Sequence, residues 1–93
     1  MNEDWQIEGM GKKGADGVIE HRAAPRFRAL WSTGLEDLTA LEGLFWTEEG
    51  HDEADAITLH HFRFEGSPPD QATFEALMRE AVRKIDGWIA RRL

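Results

Sequence analysis

An α+β fold is predicted: an antiparallel sheet of about four strands with one C-terminal amphipathic helix packed across one face. Three observations predict it. Apolar residues recur at helical spacing over residues 74–89. Upstream of that stretch, apolar and polar residues alternate with period two. Turn-forming residues separate the alternating runs. The predicted order is β-β-(short α)-β-β-α. At 93 residues the chain is expected to form a single domain, residues 1–93, with a thin core, burying roughly 60–65% of the surface exposed when unfolded.

Residues 4–10 read as a short strand, with Trp5 and Ile7 on one face. Residues 9–17 are rich in glycine and polar residues and read as a turn. The next run places Ile19, His21, Ala23, Pro25, Phe27, Ala29 and Trp31 at odd positions, against Glu20, Arg22, Arg26 and Arg28 at even ones. That is a strand buried on one side. Pro25 cannot donate to a ladder, so the strand is at an edge there, bulged, or in fact two strands. Leu35, Leu38 and Leu41 suit one or two helical turns. Residues 44–47 then read as strand and residues 48–55 as a polar, acidic hairpin tip.

Residues 56–65 form the last expected strand. Ile57 and Leu59 share a phase, and so do Phe62 and Phe64, but the two pairs are out of phase. One extra residue at His60-His61, a β-bulge, puts all four on one face. Ser67-Pro68-Pro69-Asp70 stops the strand. Asp70 is the favoured helix N-cap and Ser67 the other candidate. In the helix, Phe74, Leu77, Met78, Ala81, Val82, Ile85, Trp88 and Ile89 fall within an arc of about 140°. Leu77 and Trp88 are expected near the centre of the buried stripe.

Composition narrows the function classes. Hydrophobic residues are 41% and charged residues 31%, an ordinary globular balance. The chain has no cysteine, which excludes disulfides and thiolate metal sites. No apolar run approaches the ~20 residues of a membrane span, and no secretion signal is evident, so a cytoplasmic protein without membrane association is expected. The formal net charge is −7, and residues 32–70 carry ten acids against one base, Arg63. Such a field repels a phosphate backbone and argues against nucleic-acid binding.

The motifs support no catalytic residue and no cofactor. Residues 9–14 spell G-x-G-x-x-G, but a dinucleotide site needs a helix to start there, and Val18-Ile19 reads as strand. His21, His60 and His61 are the candidates for a metal or acid–base site, because a bulge could aim one histidine at another. No ligand spacing supports them, and hydrogen-bonded structural histidines are favoured. The His51–Asp55 segment lacks the spacing of a calcium loop. Arg22, Arg26 and Arg28 share the even face of the long strand; such a stripe could meet phosphate or a carboxylate-bearing partner, but a solvated sheet face, open to pairing with acids of the next strand, is favoured. Phe45 and Trp46 are adjacent in a strand and point to opposite sides, so one helix cannot cover both; they are the candidate interface residues.

The expected function is therefore non-catalytic: a small cytoplasmic protein that forms a homodimer or binds a protein partner. One alternative is a small-ligand-binding protein or enzyme with a helix–sheet pocket using His21, His60 or His61. Another is an acidic nucleic-acid mimic or inhibitor, resting on the charge of residues 32–70.

Overall fold

The computed structural model describes residues 4–9, 16–34, 41, 43–49 and 56–91. Among the described residues five strands and one helix follow in order: β1 (Trp5–Gly9), β2 (Gly17–His21), β3 (Phe27–Thr33), β4 (Phe45–Glu48), β5 (Ile57–Phe64) and α1 (Gln71–Ala90). The strands form one antiparallel sheet in the order β1-β2-β3-β5-β4. The fold is α+β, as expected. The long alternating run is two strands rather than one, which raises the expected four to five. The chain reverses between His21 and Phe27, where Ala24-Pro25 is a cis peptide bond. Pro25 lies in this turn, where its missing N–H leaves no gap in a ladder. The short helix expected around Leu35 and Leu38 lies outside the described residues, as do residues 50–55 of the acidic tip expected at 48–55; Glu48 ends β4 instead.

The bulge is present. Arg28 is opposite Arg63 and Leu30 is opposite His60, so the register shifts between them and β5 carries one extra residue. His61 is that residue, with φ of 54°. The shift brings Ile57, Leu59, Phe62 and Phe64 onto the face that meets the helix, as the phase change requires.

α1 lies across that face. Asp70 caps it, its carboxylate accepting a hydrogen bond from the Thr73 N–H at 2.8 Å. Hydrogen bonding from the Thr73 side chain, and then from this N–H, favours the charged form and holds the Asp70 pKa below its ordinary value. Met78, Ala81, Val82 and Ile85 are buried, whereas Leu77 and Trp88 are only partly so. The centre of the stripe thus sits on the 78–81–82–85 side, and Leu77 and Trp88 flank it.

An aromatic row runs beneath the helix. Trp5, His21, Phe27 and Phe64 are successive cross-strand partners. Phe62 and Phe64 stack at 5.7 Å, and Phe74 of the helix meets Phe62 edge-on at 5.5 Å. Two glycines make room for two tryptophans at the other end. The Trp88 ring lies over Gly9 and the Trp31 ring over Gly17, and the two indoles meet edge-to-face at 5.5 Å. Gly9 and Gly17 are cross-strand partners within antiparallel strands, not parts of a phosphate loop. That pairing leaves no place for the crossover helix of a dinucleotide-binding unit. Among the described residues no helix is long and apolar enough to cross a membrane.

Candidate functional site

The face of the sheet away from α1 carries Arg28, Phe45 and His60 among the residues singled out by the sequence. Alternation and register arrange it in three cross-strand rows. Glu20, Arg28 and Arg63 form one row. Leu30, His60 and Phe45 form the second, and Ser32, Thr58 and Thr47 the third. Ser32, Thr58 and His60 are buried, although α1 covers the opposite face.

These buried polar groups are hydrogen-bonded, which is what burial demands of them. The Thr47 and Thr58 hydroxyls are 3.0 Å apart. Ser32 Oγ lies 2.9 Å from His60 Nε2, and His60 Nδ1 lies 2.6 Å from His61 Nδ1. The bulge makes the last contact, since adjacent residues of a regular strand point to opposite faces. Two imidazole nitrogens this close need one proton between them, so one ring donates and the other accepts. Burial, with Leu30 and Phe45 on either side of it, holds the His60 pKa below its ordinary value, and the neighbouring His61 lowers it further. His61 is exposed and reaches solvent.

His21 does not join them. It lies on the helix-covered face, buried against Trp5 at a ring separation of 4.4 Å. Its Nδ1 is 2.8 Å from the Pro25 carbonyl oxygen; a carbonyl only accepts, so Nδ1–H donates. The three histidines proposed from sequence therefore divide into a structural His21 and a coupled His60–His61 pair. Among the described residues no group of three or more His, Asp or Glu side chains converges on one point.

Phe45 and Trp46 also divide. Trp46 faces the helix, meeting Phe74 edge-on at 6.2 Å, and its indole N–H donates to Glu48 at 3.1 Å. Phe45 points to the other face and is 37% exposed, next to Leu44 at 50%. β4 is an edge strand, not a central one covered on both sides. Trp46 thus packs within its own chain, and Leu44 takes its place beside Phe45 as exposed apolar surface.

The arginines are not paired as alternation suggests. Glu20 is opposite Arg28 but its carboxylate accepts from Arg22 Nε at 2.9 Å. Arg26 is 3.7 Å from Glu65. Arg22 and Arg26 belong to the turn between β2 and β3 rather than to a strand. Ser32 and Arg63 were not singled out by sequence, because their roles depend on β3 lying beside β5. The acidic-mimic reading rests on residues 32–70, many of which lie outside the described residues. The chain matches no known family model, no curated protein and no solved structure.

Proposed function

We propose that the protein is a small non-catalytic module that self-associates through the β4 edge of its sheet. The observation that carries this reading is the edge itself. Among the described residues β4 has a hydrogen-bonded neighbour on one side only, and the exposed Leu44 and Phe45 lie at its start. An unpaired strand edge is a template for another strand, and proteins usually guard it with lysine, proline or a bulge. Residues 44–48, Leu-Phe-Trp-Thr-Glu, contain no lysine or proline. Two copies related by a two-fold axis can pair β4 antiparallel to β4 with Phe45 opposite the partner's Phe45. Leu44 then falls opposite the partner's Trp46, so apolar groups meet on both faces. A thin core in a chain this small favours such an extension.

Light scattering at micromolar concentration tests it. The expected mass is twice the 10.6 kDa of the chain, falling to the monomer value in Phe45→Glu. A wild-type chain that is monomeric throughout a dilution series defeats the dimer.

A second reading has its own observation, the hydrogen-bonded chain Ser32–His60–His61. A hydroxyl, an imidazole and a group that orients the imidazole are the parts of an acid–base relay. Ser32 and His60 are both buried, so a ligand would engage the exposed His61. A zinc-dependent rise in melting temperature that disappears in His61→Ala supports this reading over the first, because a ligand at 100 times its dissociation constant adds about 2.7 kcal/mol.

A further inference from the structure

We infer that the open face of the sheet holds an anion site between Arg28 and Arg63, built for a small phosphate monoester. The inference is independent of the β4 edge, since the site belongs to β2, β3 and β5.

Arg28 and Arg63 are direct partners across β3 and β5 and therefore stand side by side on one face. Like charges placed opposite each other in a sheet are destabilising. Nature commonly offsets such a pair with an acid, and the acids are close at hand. Glu20 is the other cross-strand partner of Arg28, yet its carboxylate bonds Arg22 at 2.9 Å. Glu65 lies beside Arg26 at 3.7 Å. Among the described residues neither Arg28 nor Arg63 has an ion-pair partner. The two arginines are thus open to a ligand, while Arg22 engages Glu20 and Arg26 engages Glu65.

The surroundings are concave. Arg22, Arg26, Arg28, Arg63, Glu20 and Glu65 line a cleft of about 180 Å³, together with His21 and Phe27. A second hollow of about 210 Å³ adjoins it, sharing Glu20, Arg22 and Arg28 and bounded by Gln6, Glu8 and Val18. Four arginines against two glutamates make the first cleft positive in a chain whose formal net charge is −7. A local reversal of sign against the whole-molecule field draws an anion to one place.

The backbone beneath the pair is well determined. The register resumes at Arg28 and Arg63 directly after the bulge, and Phe27 is paired with Phe64 in the next position. The Glu65 N–H donates to the Arg26 carbonyl at 3.0 Å and closes that end of the ladder. Bulges recur beside functional sites because they re-aim side chains.

The chemistry of the pair selects the ligand. Guanidinium forks match the oxygens of carboxylate and phosphate. Two positive charges ask for two negative ones, which a phosphate monoester carries at neutral pH and a single carboxylate does not. The cleft accommodates a phosphoryl group and a few further atoms. A polyanion is opposed by the acidic remainder of the molecule.

The test is a titration at low ionic strength with inorganic phosphate, phenyl phosphate and acetate, read from the arginine Nε–Hε signals by ¹H–¹⁵N NMR. Saturable shifts are expected at Arg28 and Arg63 for both phosphates, with affinity falling at least tenfold in Arg28→Gln and in Arg63→Gln. Both residues are exposed, so these variants should keep the wild-type amide spectrum elsewhere. Tighter binding of phenyl phosphate than of inorganic phosphate assigns the ester; equal binding assigns the phosphoryl group alone, with no role for the remainder of the ligand, and overturns the ester. Non-saturating shifts, unchanged affinity in either glutamine variant, or acetate binding as tightly as phosphate overturns the site.

Discussion

The two faces of this sheet are made from the same strands in alternation, and they solve opposite problems. The helix-covered face is sealed by aromatic rings, aliphatic side chains and two glycines. The open face carries charge, hydroxyls and imidazole, and still buries Ser32, Thr58 and His60. On the covered face, apart from His21 and its bond to the Pro25 carbonyl, burial is satisfied by shape, because dispersion and the hydrophobic effect need only close contact. On the open face burial is satisfied by pairing, because each hydroxyl and imidazole must find a partner. Substitutions should therefore fail sterically on one face and electrostatically on the other.

The largest effect is expected at Gly17. A Cβ there would come within 2.2 Å of the Glu8 carbonyl oxygen and 2.5 Å of the Trp31 ring. The oxygen belongs to backbone and cannot swing away. Gly17→Val should cost about 4 kcal/mol or more, or prevent folding. A urea melt with a near-wild-type midpoint would show that the covered face is less tightly fitted than its glycines imply.

Next is the helix stripe. Ile85 is fully buried, so Ile85→Ala should cost roughly 2–5 kcal/mol. Leu77→Ala, at the flank, should cost less than Ile85→Ala. If Leu77 proves the more costly, the stripe is centred where the sequence periodicity placed it and not where the burial pattern does.

The smallest effect belongs to the open face and depends on pH. The folded-state pKa of His60 lies below its ordinary value of 6.5. Below pH 6.5 the unfolded chain thus binds more protons than the folded one. Stability contributed by neutral His60 is complete above that pH and is lost as pH falls through 6.5 toward the folded pKa. The melting temperature should fall between pH 7.5 and 5.5. His61→Ala should reduce the decline without abolishing it, since burial is the larger cause and the neighbouring imidazole the smaller. An undiminished slope would remove His61 from the account.

By itself the sequence determined what local periodicity can encode. The 3.6-residue stripe of α1, the cap at Asp70, the strand faces and the extra residue at His60-His61 all follow from spacing along one segment. The out-of-phase pairs Ile57/Leu59 and Phe62/Phe64 had no common face without a bulge, so a long-range feature was legible locally. Tertiary structure decided what depends on neighbours distant in sequence. Whether the run through Pro25 was one strand or two turned on how the chain reversed, which alternation alone leaves open. Strand order placed β5 between β3 and β4. That order put Arg63 against Arg28, brought Ser32 to His60 and left β4 at the edge with Phe45 exposed. Residues on separate strands acquire a shared environment only when the ladders form, and no period within a single strand records which strand lies beside it.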